Sequence, residues 1–425
     1  MNTASLTLAE PRGAIRRFFK SLGPGILMAT AAIGGSHLVA STKAGAIYGW
    51  QLVGLVLLVN LLKYPFFRAG VQYTSATGKS LQEGYAEMGR SYLYLFNALN
   101  LISAVVNTAA VLVFTASLLS YFLPVSIALT HLSAWVLVGC LALLIAGHYR
   151  ALDSVSKLIM AVLVIATLAA VLIAAASPSV KVDDFVAPSP WQFAALGFIV
   201  VMMGWMPAPI EISCLTSLWL QSQKKQQPVT CKSALMDFNV GYIMTALLAV
   251  VFLALGALIF HGTGQALEST GIGYSKQLVS MYTATIGEWS RWLIAGVAFL
   301  CMLGTTLTVI DGYSRALAQG TQLMTKAKRS ENSRGLHQIW MGLVSAAALL
   351  ILFFFLTNLM AMLHFAMLLA FMTTPIFALL NFILVQRSAA QQLLSQPQWN
   401  RYLSWAGLIY LFGFLVLFIW WQWLS

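Results

Sequence analysis

The sequence predicts an all-α integral membrane protein with eleven transmembrane helices, on the strength of three observations. Apolar residues make up 60% of the 425 residues and charged residues only 8%, against about 45–50% and about 25% in soluble domains. Mean hydropathy is +0.82, and eleven apolar stretches approach or exceed the length of about 20 residues that crosses a bilayer. Basic residues concentrate in every second loop. Soluble enzymes, disulfide-rich secreted proteins and nucleic-acid-binding proteins are therefore excluded as primary interpretations.

The eleven stretches, numbered here as spans 1 to 11, are predicted to be helices. Backbone groups in lipid must satisfy their hydrogen bonds internally, and no stretch alternates in polarity like a membrane barrel strand. The spans cover residues 24–47, 49–70, 92–122, 131–147, 151–177, 191–220, 234–260, 289–318, 337–356, 359–386 and 402–424. The predicted organisation is a basic N-terminal segment, two groups of five spans and an eleventh helix, at residues 1–22, 23–177, 191–386 and 402–424.

The loops predict the orientation of the chain in the membrane. Seventeen of the 24 lysines and arginines lie in the N-terminal segment or in every second loop, and three lie in the opposite loops. The positive-inside rule then places the N-terminus in the cytoplasm and the C-terminus outside, with the protein in the cell (inner) membrane. This distribution explains the net charge of +12 without a nucleic-acid partner. The four cysteines form no Cys-x-x-Cys pair, so neither a zinc site nor a disulfide framework is indicated.

Two spans carry residues that interrupt a helix near its middle. Span 1 contains Gly-Gly-Ser-His at residues 34–37, and span 6 contains Met-Gly-Trp-Met-Pro-Ala-Pro at residues 203–209. In a helix interior, glycine costs about 1 kcal/mol and proline about 3 kcal/mol relative to alanine. A break at membrane depth is tolerated where it lines a cavity. The predicted substrate-binding residues therefore lie at the two breaks: Gly34, Gly35, Ser36, His37, Trp205, Met206 and Ala208.

The two breaks are five spans apart, which is informative about the architecture. An odd offset means that the second group of five spans is inserted upside down relative to the first. Broken helices at corresponding positions of two inverted halves are the best sequence indication of a transporter's binding site. Taken alone, Gly-Gly-Ser could be a packing notch and Pro-Ala-Pro a simple kink; their occurrence together favours a site.

Several short motifs lie at the ends of spans 1 and 2 and within span 6. Gly-Pro-Gly at 23–25 leads into span 1, which ends in Ala-Gly-Ala-Ile-Tyr-Gly at 44–49. Thr-Gly-Lys-Ser-Leu at 77–81 follows span 2, Met-Pro stands at 206–207, and Ser-Leu-Trp-Leu-Gln-Ser at 217–222 closes span 6. These motifs resemble those of the NRAMP (natural resistance-associated macrophage protein) family of proton-coupled divalent metal transporters, and the resemblance extends over about residues 23–386. It implies a LeuT-like fold of two inverted five-helix repeats, here with one extra helix.

The chain departs from the family pattern at the metal site. An Asp and an Asn bind the metal in the family's Asp-Pro-Gly-Asn break, and this chain has Gly34 and His37 there. The two histidines of span 6 and the acidic pair of span 3 are also replaced, at Ala208, about Ser213, Asn107 and Ala110. Met206 and His37 are left as the predicted metal ligands, and a thioether holds Mn²⁺ or Mg²⁺ poorly without carboxylates.

Ionisable groups inside the spans are candidates for function because each costs at least about 2.5–3.5 kcal/mol there. Glu211 is predicted either to bind a cation or coupling proton, or to form an ion pair with Lys43 that could serve as a gate. Thr305 and Thr306, with freed carbonyls near residues 32–33, are candidates for a sodium site, although threonines more often bond back to their own helix. Asp311 is a further coupling candidate, with a pair to Arg315 one turn on as the alternative.

The predicted function is that of a secondary transporter, not an enzyme, and no cofactor is expected. The resemblance favours a divalent metal ion moved by alternating access with H⁺ coupling. The missing carboxylate leaves open a small organic solute such as an amino acid, coupled to Na⁺ or H⁺. A channel or a non-transporting membrane sensor is a further class. The expected partners are the transported solute or ion, the coupling ion and the lipid bilayer.

Overall fold

The computed structural model is helical throughout the part of the chain that it describes. It describes residues 23–424, apart from 148, 177–180, 184, 227, 266, 269, 326–332, 355–357 and 388–396. No strand occurs among these residues, which confirms the predicted all-α class. The basic N-terminal segment 1–22 lies outside the described residues.

The first half of the chain contains the broken span 1 and four further predicted spans. Span 1 consists of α1, a π-helical turn at Ser36–Ser41 and α2, and its two parts are bent by 47°. The helices are α1 Pro24–Ala32, α2 Thr42–Tyr48, α3 Val53–Thr77, α4 Leu81–Met88, α5 Arg90–Leu119, α6 Leu129–Ile145 and α7 Tyr149–Ala176. The short α4 lies in a loop and was not predicted; a capping box between Ser80 and Glu83 begins it.

The second half contains the broken span 6 and the remaining predicted spans. Span 6 ends its first helix at Trp205 and begins its second at Ile212, so the predicted break is present. The helices are α8 Leu196–Trp205, α9 Ile212–Gln226, α10 Cys231–Ile259, α11 Gly271–Ile286, α12 Arg291–Thr325, α13 Ser333–Phe354, α14 Leu359–Arg387 and α15 Gln398–Leu424. The helix α11, between spans 7 and 8, was also not predicted, and the Thr270 hydroxyl caps it.

Among the described residues, seven helices are long and apolar enough to cross a membrane, or eight if the bent pair of span 1 counts as one span. Three shorter apolar helices lie at Leu129–Ile145, Ala161–Ala176 and Phe193–Trp205, within predicted spans 4, 5 and 6. The chain is therefore an integral membrane protein, and the number of eleven spans stays a prediction.

Span 1 is held against α10 by backbone contact and by one carboxylate. A methyl group on Gly45 would collide with the carbonyl oxygen of Leu253, so glycine is required for this approach. At the other end of the span, the Asp237 carboxylate of α10 accepts hydrogen bonds from the amides of Gly23 and Gly25, at 3.1 and 2.7 Å. These amides begin α1, where orphan donors and the helix dipole favour a negative group.

A second tightly joined pair is α5 and α12. The hydroxyls of Thr115 and Thr306 lie 2.7 Å apart, and Asn107 Nδ2 donates to Tyr313 Oη over 2.9 Å. All four side chains are buried. This pair forms the wall that faces the two breaks and positions polar groups beside them.

Candidate functional site

The break in span 1 leaves carbonyl groups that neighbouring hydroxyls satisfy. Thr305 Oγ1 of α12 lies 3.1 Å from the Thr30 carbonyl oxygen and 3.3 Å from that of Ile33. Ser36 Oγ donates to the Ala32 carbonyl over 2.7 Å. The chain can turn here because Gly34 and Gly35 carry no side chain, and a methyl group on Gly35 would collide with the Trp205 ring. The first break is thus closed by neutral groups.

The break in span 6 leaves carbonyl groups that a charged side chain satisfies. In a continuous helix, the Met203 carbonyl would accept from the amide of residue 207, but proline has no N–H. Lys63 Nζ, from the middle of α3, instead donates to the carbonyl oxygens of Met203 and Gly204, at 2.6 and 3.1 Å. The lysine is 1% exposed. The second break is thus closed by an ammonium group.

A pocket lies between the two breaks, against the α5–α12 wall. It is lined by residues of α1, α5, α9, α12 and both breaks: Ala31, Ala32, Gly34, Gly35, Ser36, Asn107, Val111, Trp205, Ala208, Pro209, Ile212, Thr305, Val309 and Tyr313. Its free volume is about 30 Å³. That is room for an ion or very few water molecules. The lining side chains are all neutral.

A chain of hydrogen bonds runs from this pocket to a buried carboxylate. Trp205 Nε1 donates to Asn107 Oδ1 over 3.1 Å, and Asn107 Nδ2 donates to Tyr313 Oη. Tyr313 Oη in turn donates to Glu211 Oε1 over 3.1 Å. Glu211 is 1% exposed, and the Ser103 hydroxyl also acts on its carboxylate. The Glu211 carboxyl group therefore lies one hydrogen bond behind Tyr313, which lines the pocket.

The predicted pair between Lys43 and Glu211 is wrong. Lys43 Nζ lies 3.8 Å from the Met360 sulfur, whereas Glu211 contacts Tyr313 and Asn107. The lysine that acts electrostatically on Glu211 is Lys63. The sequence contained the signal for Lys63, because any lysine within an apolar span must find acceptors.

The predicted metal ligands His37 and Met206 do not meet at the pocket. Both are fully buried, and neither lines it. His37 Nε2 lies 2.9 Å from the Thr245 carbonyl oxygen and Nδ1 lies 2.7 Å from Ser36 Oγ, so both ring nitrogens are occupied by protein. The π-helical turn after Gly35 points the imidazole toward α10 rather than toward the pocket. The other five predicted binding residues, Gly34, Gly35, Ser36, Trp205 and Ala208, do line the pocket; substrate binding by them stays a prediction.

The predicted coupling residues of span 8 separate into three environments. Thr305 lies at the freed carbonyls of span 1, as the sodium-site hypothesis requires, and its hydroxyl also lies 3.2 Å from the Cys301 carbonyl oxygen of its own helix, as the alternative requires. Thr306 faces α5 instead, where its hydroxyl meets Thr115 and the Met302 carbonyl of its own helix. Asp311 accepts a hydrogen bond from Arg315 Nε over 2.6 Å. This is the i,i+4 pair that the sequence offered as the alternative to a coupling role.

No group of three or more His, Cys, Asp or Glu side chains that could hold a metal ion occurs in the described part of the chain. A resident metal centre therefore finds no support there. An ion in the pocket would meet neutral oxygens from Asn107, Tyr313, Thr305 and backbone carbonyls, with Glu211 behind them.

These features define a membrane protein that is helical over the described residues, with a small pocket between two broken spans. The model of the family of natural resistance-associated macrophage protein-like (Nramp) proteins matches residues 25–421. An uncharacterised protein of Pasteurella multocida (strain Pm70) is 48% identical over 404 residues, which are 94% of this chain and 92% of that protein. The chain belongs to the Nramp family.

Solved structures show the same fold at low sequence identity. A crystal structure of a mutant manganese transporter from Eremococcus coleocola gives a TM-score of 0.73 at 13% identity, covering 97% of this chain and 89% of that one. The same transporter in complex with an aromatic bis-isothiourea substituted compound gives 0.68 at 13% identity, covering 98% and 90%. The predicted family is thus confirmed.

Proposed function

We propose that this protein is a secondary transporter that moves a divalent metal ion across the cell membrane, coupled to H⁺. Membership of the Nramp family and structural similarity to a manganese transporter support this function. The observation that carries it is the hydrogen-bonded chain from an ion-sized pocket to the buried Glu211 carboxylate. A cation in a low-dielectric site needs a compensating negative charge, and Glu211 supplies one.

In this proposal Glu211 takes over the electrostatic role that an acidic residue at the break of span 1 has elsewhere in the family. Tyr313 and Asn107 orient the carboxylate and connect it to the pocket. The carboxylate also carries the coupling proton: the protonated acid is neutral when the pocket is empty, and it ionises as the cation enters. Entry of a dication with loss of this proton changes the charge of the site from 0 to +1, because one carboxylate balances half of the charge of the metal. The remaining charge would be solvated by the neutral oxygens of Asn107, Tyr313 and Thr305.

Transport would proceed by alternating access in a LeuT-like arrangement of eleven spans. The two broken spans would rock as part of one bundle against the scaffold that contains α5 and α12. The neutral hydroxyl contacts of Thr305 are bonds that such a movement can exchange at low cost. The loop charges support a cytoplasmic N-terminus and an external C-terminus in the inner membrane.

A second candidate is transport of a small organic solute such as an amino acid. The entirely neutral lining of the pocket and the indole of Trp205 favour it, since they suit a zwitterion better than a dication. The pocket would have to enlarge by movement of Trp205 away from Gly35. A volume of about 30 Å³ favours the ion in the conformation described here.

The test is uptake into proteoliposomes that contain the purified protein. A panel of divalent cations (Mn²⁺, Fe²⁺, Co²⁺, Zn²⁺ and Mg²⁺) is compared with a panel of amino acids under imposed H⁺ or Na⁺ gradients. We expect saturable uptake of at least one divalent cation, stimulated by a proton gradient. Uptake of an amino acid alone would move the assignment to the second candidate. Conductance far above carrier turnover would identify a channel, and no flux of any solute through folded protein would leave a non-transporting sensor.

A further inference from the structure

The Lys63 ammonium has the surroundings of a bound inorganic cation. Its partners are two backbone carbonyl oxygens, at 2.6 and 3.1 Å, and its side chain is 1% exposed. Both carbonyls belong to the last residues before the break of span 6. The amide nitrogen of Met206 lies 3.4 Å from the Met203 carbonyl oxygen, which is a long hydrogen bond, and Pro207 has no amide hydrogen to donate. The ammonium is therefore the main partner of these oxygens.

Two independent features make this position attractive to positive charge. The carbonyl end of α8 carries the negative pole of the helix dipole, and unwound carbonyls at such half-helix ends coordinate Na⁺ or H⁺ in transporters with broken helices. In addition, the buried Glu211 carboxylate acts electrostatically on Lys63. Carbonyl oxygens are ligands that hard monovalent cations take, and a buried carboxylate that acts on the position at longer range favours positive charge there.

We propose that Lys63 is a tethered cation that occupies a binding position for Na⁺ or K⁺ at the carbonyl end of α8. The side chain supplies from within the protein the charge that a free coupling ion would bring. Transport then needs no added monovalent metal cation, and a proton is left as the coupling ion. This last consequence rests on the proposed function, whereas the occupied cation position does not.

The position can be opened by removing the ammonium. In Lys63→Ala, the Met203 and Gly204 carbonyls face a cavity that a partly hydrated Na⁺ or K⁺ can enter. We expect the melting temperature of the purified variant in detergent to rise by about 2 °C or more when choline chloride is replaced by NaCl or KCl at constant ionic strength. The wild-type protein should melt at one temperature in all three salts.

Lys43→Ala is the matched control. Spans 1 and 2 contain two lysines, Lys43 and Lys63, and removal of the half-buried Lys43 does not expose the Met203 and Gly204 carbonyls. We expect it to show no difference among the salts. Lys63→Gln is a second variant with a neutral side chain that still donates to one carbonyl, and it should show a smaller Na⁺ or K⁺ effect than Lys63→Ala.

Two results would overturn the proposal. One is a folded Lys63→Ala or Lys63→Gln variant whose melting temperature is the same in choline, Na⁺ and K⁺. The other is an equal stabilisation by Na⁺ or K⁺ over choline in the wild-type and Lys63→Ala proteins, which would place the bound cation elsewhere, for example at the carbonyls beside Thr305. Neither melting experiment depends on the transported substrate, so a failure of metal uptake in proteoliposomes is distinguishable from a failure here.

Discussion

The two breaks of the molecule look alike in sequence and differ in how their backbone is satisfied. At the break of span 1, hydroxyl groups of Thr305 and Ser36 meet the freed carbonyls. At the break of span 6, the Lys63 ammonium meets them. A neutral hydrogen bond contributes about 0.5–1.5 kcal/mol and one to a charged group about 1.5–3 kcal/mol. The comparison teaches that span 1 is the more easily rearranged break and span 6 the more firmly held one.

The largest expected effect concerns backbone packing at the two breaks. A methyl group on Gly204 would collide with the carbonyl oxygen of Met367, whereas the atoms nearest to one on Gly34 belong to the side chains of Thr305 and Met302, at 3.2 Å and beyond. Gly204→Ala should therefore lower the free energy of unfolding by about 3 kcal/mol or more, and Gly34→Ala by about 1 kcal/mol. Thermal and denaturant unfolding in detergent measures both. Equal losses would remove the contrast between the breaks.

The next effect concerns the connection between the pocket and Glu211. Tyr313→Phe removes the hydroxyl that donates to Glu211 Oε1 and keeps the ring. The loss of a hydrogen bond to a charged group is worth about 1.5–3 kcal/mol, so uptake of the transported cation should fall about tenfold or more. Tyr282→Phe is the control, since this buried tyrosine bonds Thr167 elsewhere. Equal uptake by the two variants would contradict a role for the chain of hydrogen bonds.

A smaller effect concerns the neutral closure of span 1. Thr305→Val keeps the shape of the side chain and removes the hydroxyl beside the Thr30 and Ile33 carbonyls. We expect a loss of stability of about 1 kcal/mol together with a changed uptake rate. Thr306→Val should cost similar stability and leave the uptake rate unchanged, because its hydroxyl faces α5. The same uptake change in both variants would show that Thr305 has no special relation to the break.

The smallest effect is expected at Lys43. Its ammonium contacts only the Met360 sulfur among the described partners. Lys43→Ala should change the free energy of unfolding by less than about 0.5 kcal/mol and leave uptake at the wild-type rate. A variant that loses uptake would restore the gate that the sequence predicted and the structure does not show.

The class of the protein and both breaks could be predicted from the sequence because each follows from local chemistry. Apolar stretches of membrane-spanning length indicate the class, and the prolines at 207 and 209 indicate a helix break. Neither inference requires knowledge of which helices pack against one another. The helices α4 and α11 were missed because they lie in loops and are too short or too polar for a hydropathy criterion.

The site was predicted less well because side-chain direction depends on tertiary packing. His37 follows Gly35 by two residues, yet the π-helical turn rotates its ring toward α10. Lys43 and Lys63 are both basic residues within spans, and spacing along the chain could not tell which one approaches Glu211. In the structure it is Lys63 that lies there, because its ammonium donates to the carbonyl groups freed at the second break.

The most direct test of the account is divalent-cation uptake by Glu211→Gln in proteoliposomes. The substitution keeps the size and hydrogen-bonding ability of the side chain and removes its charge, and an unchanged melting temperature would show that the variant is folded. If Glu211 supplies the charge for the cation and carries the coupling proton, uptake falls by about a hundredfold or more, and what remains no longer responds to a proton gradient. Wild-type uptake with wild-type proton dependence in Glu211→Gln would contradict the account.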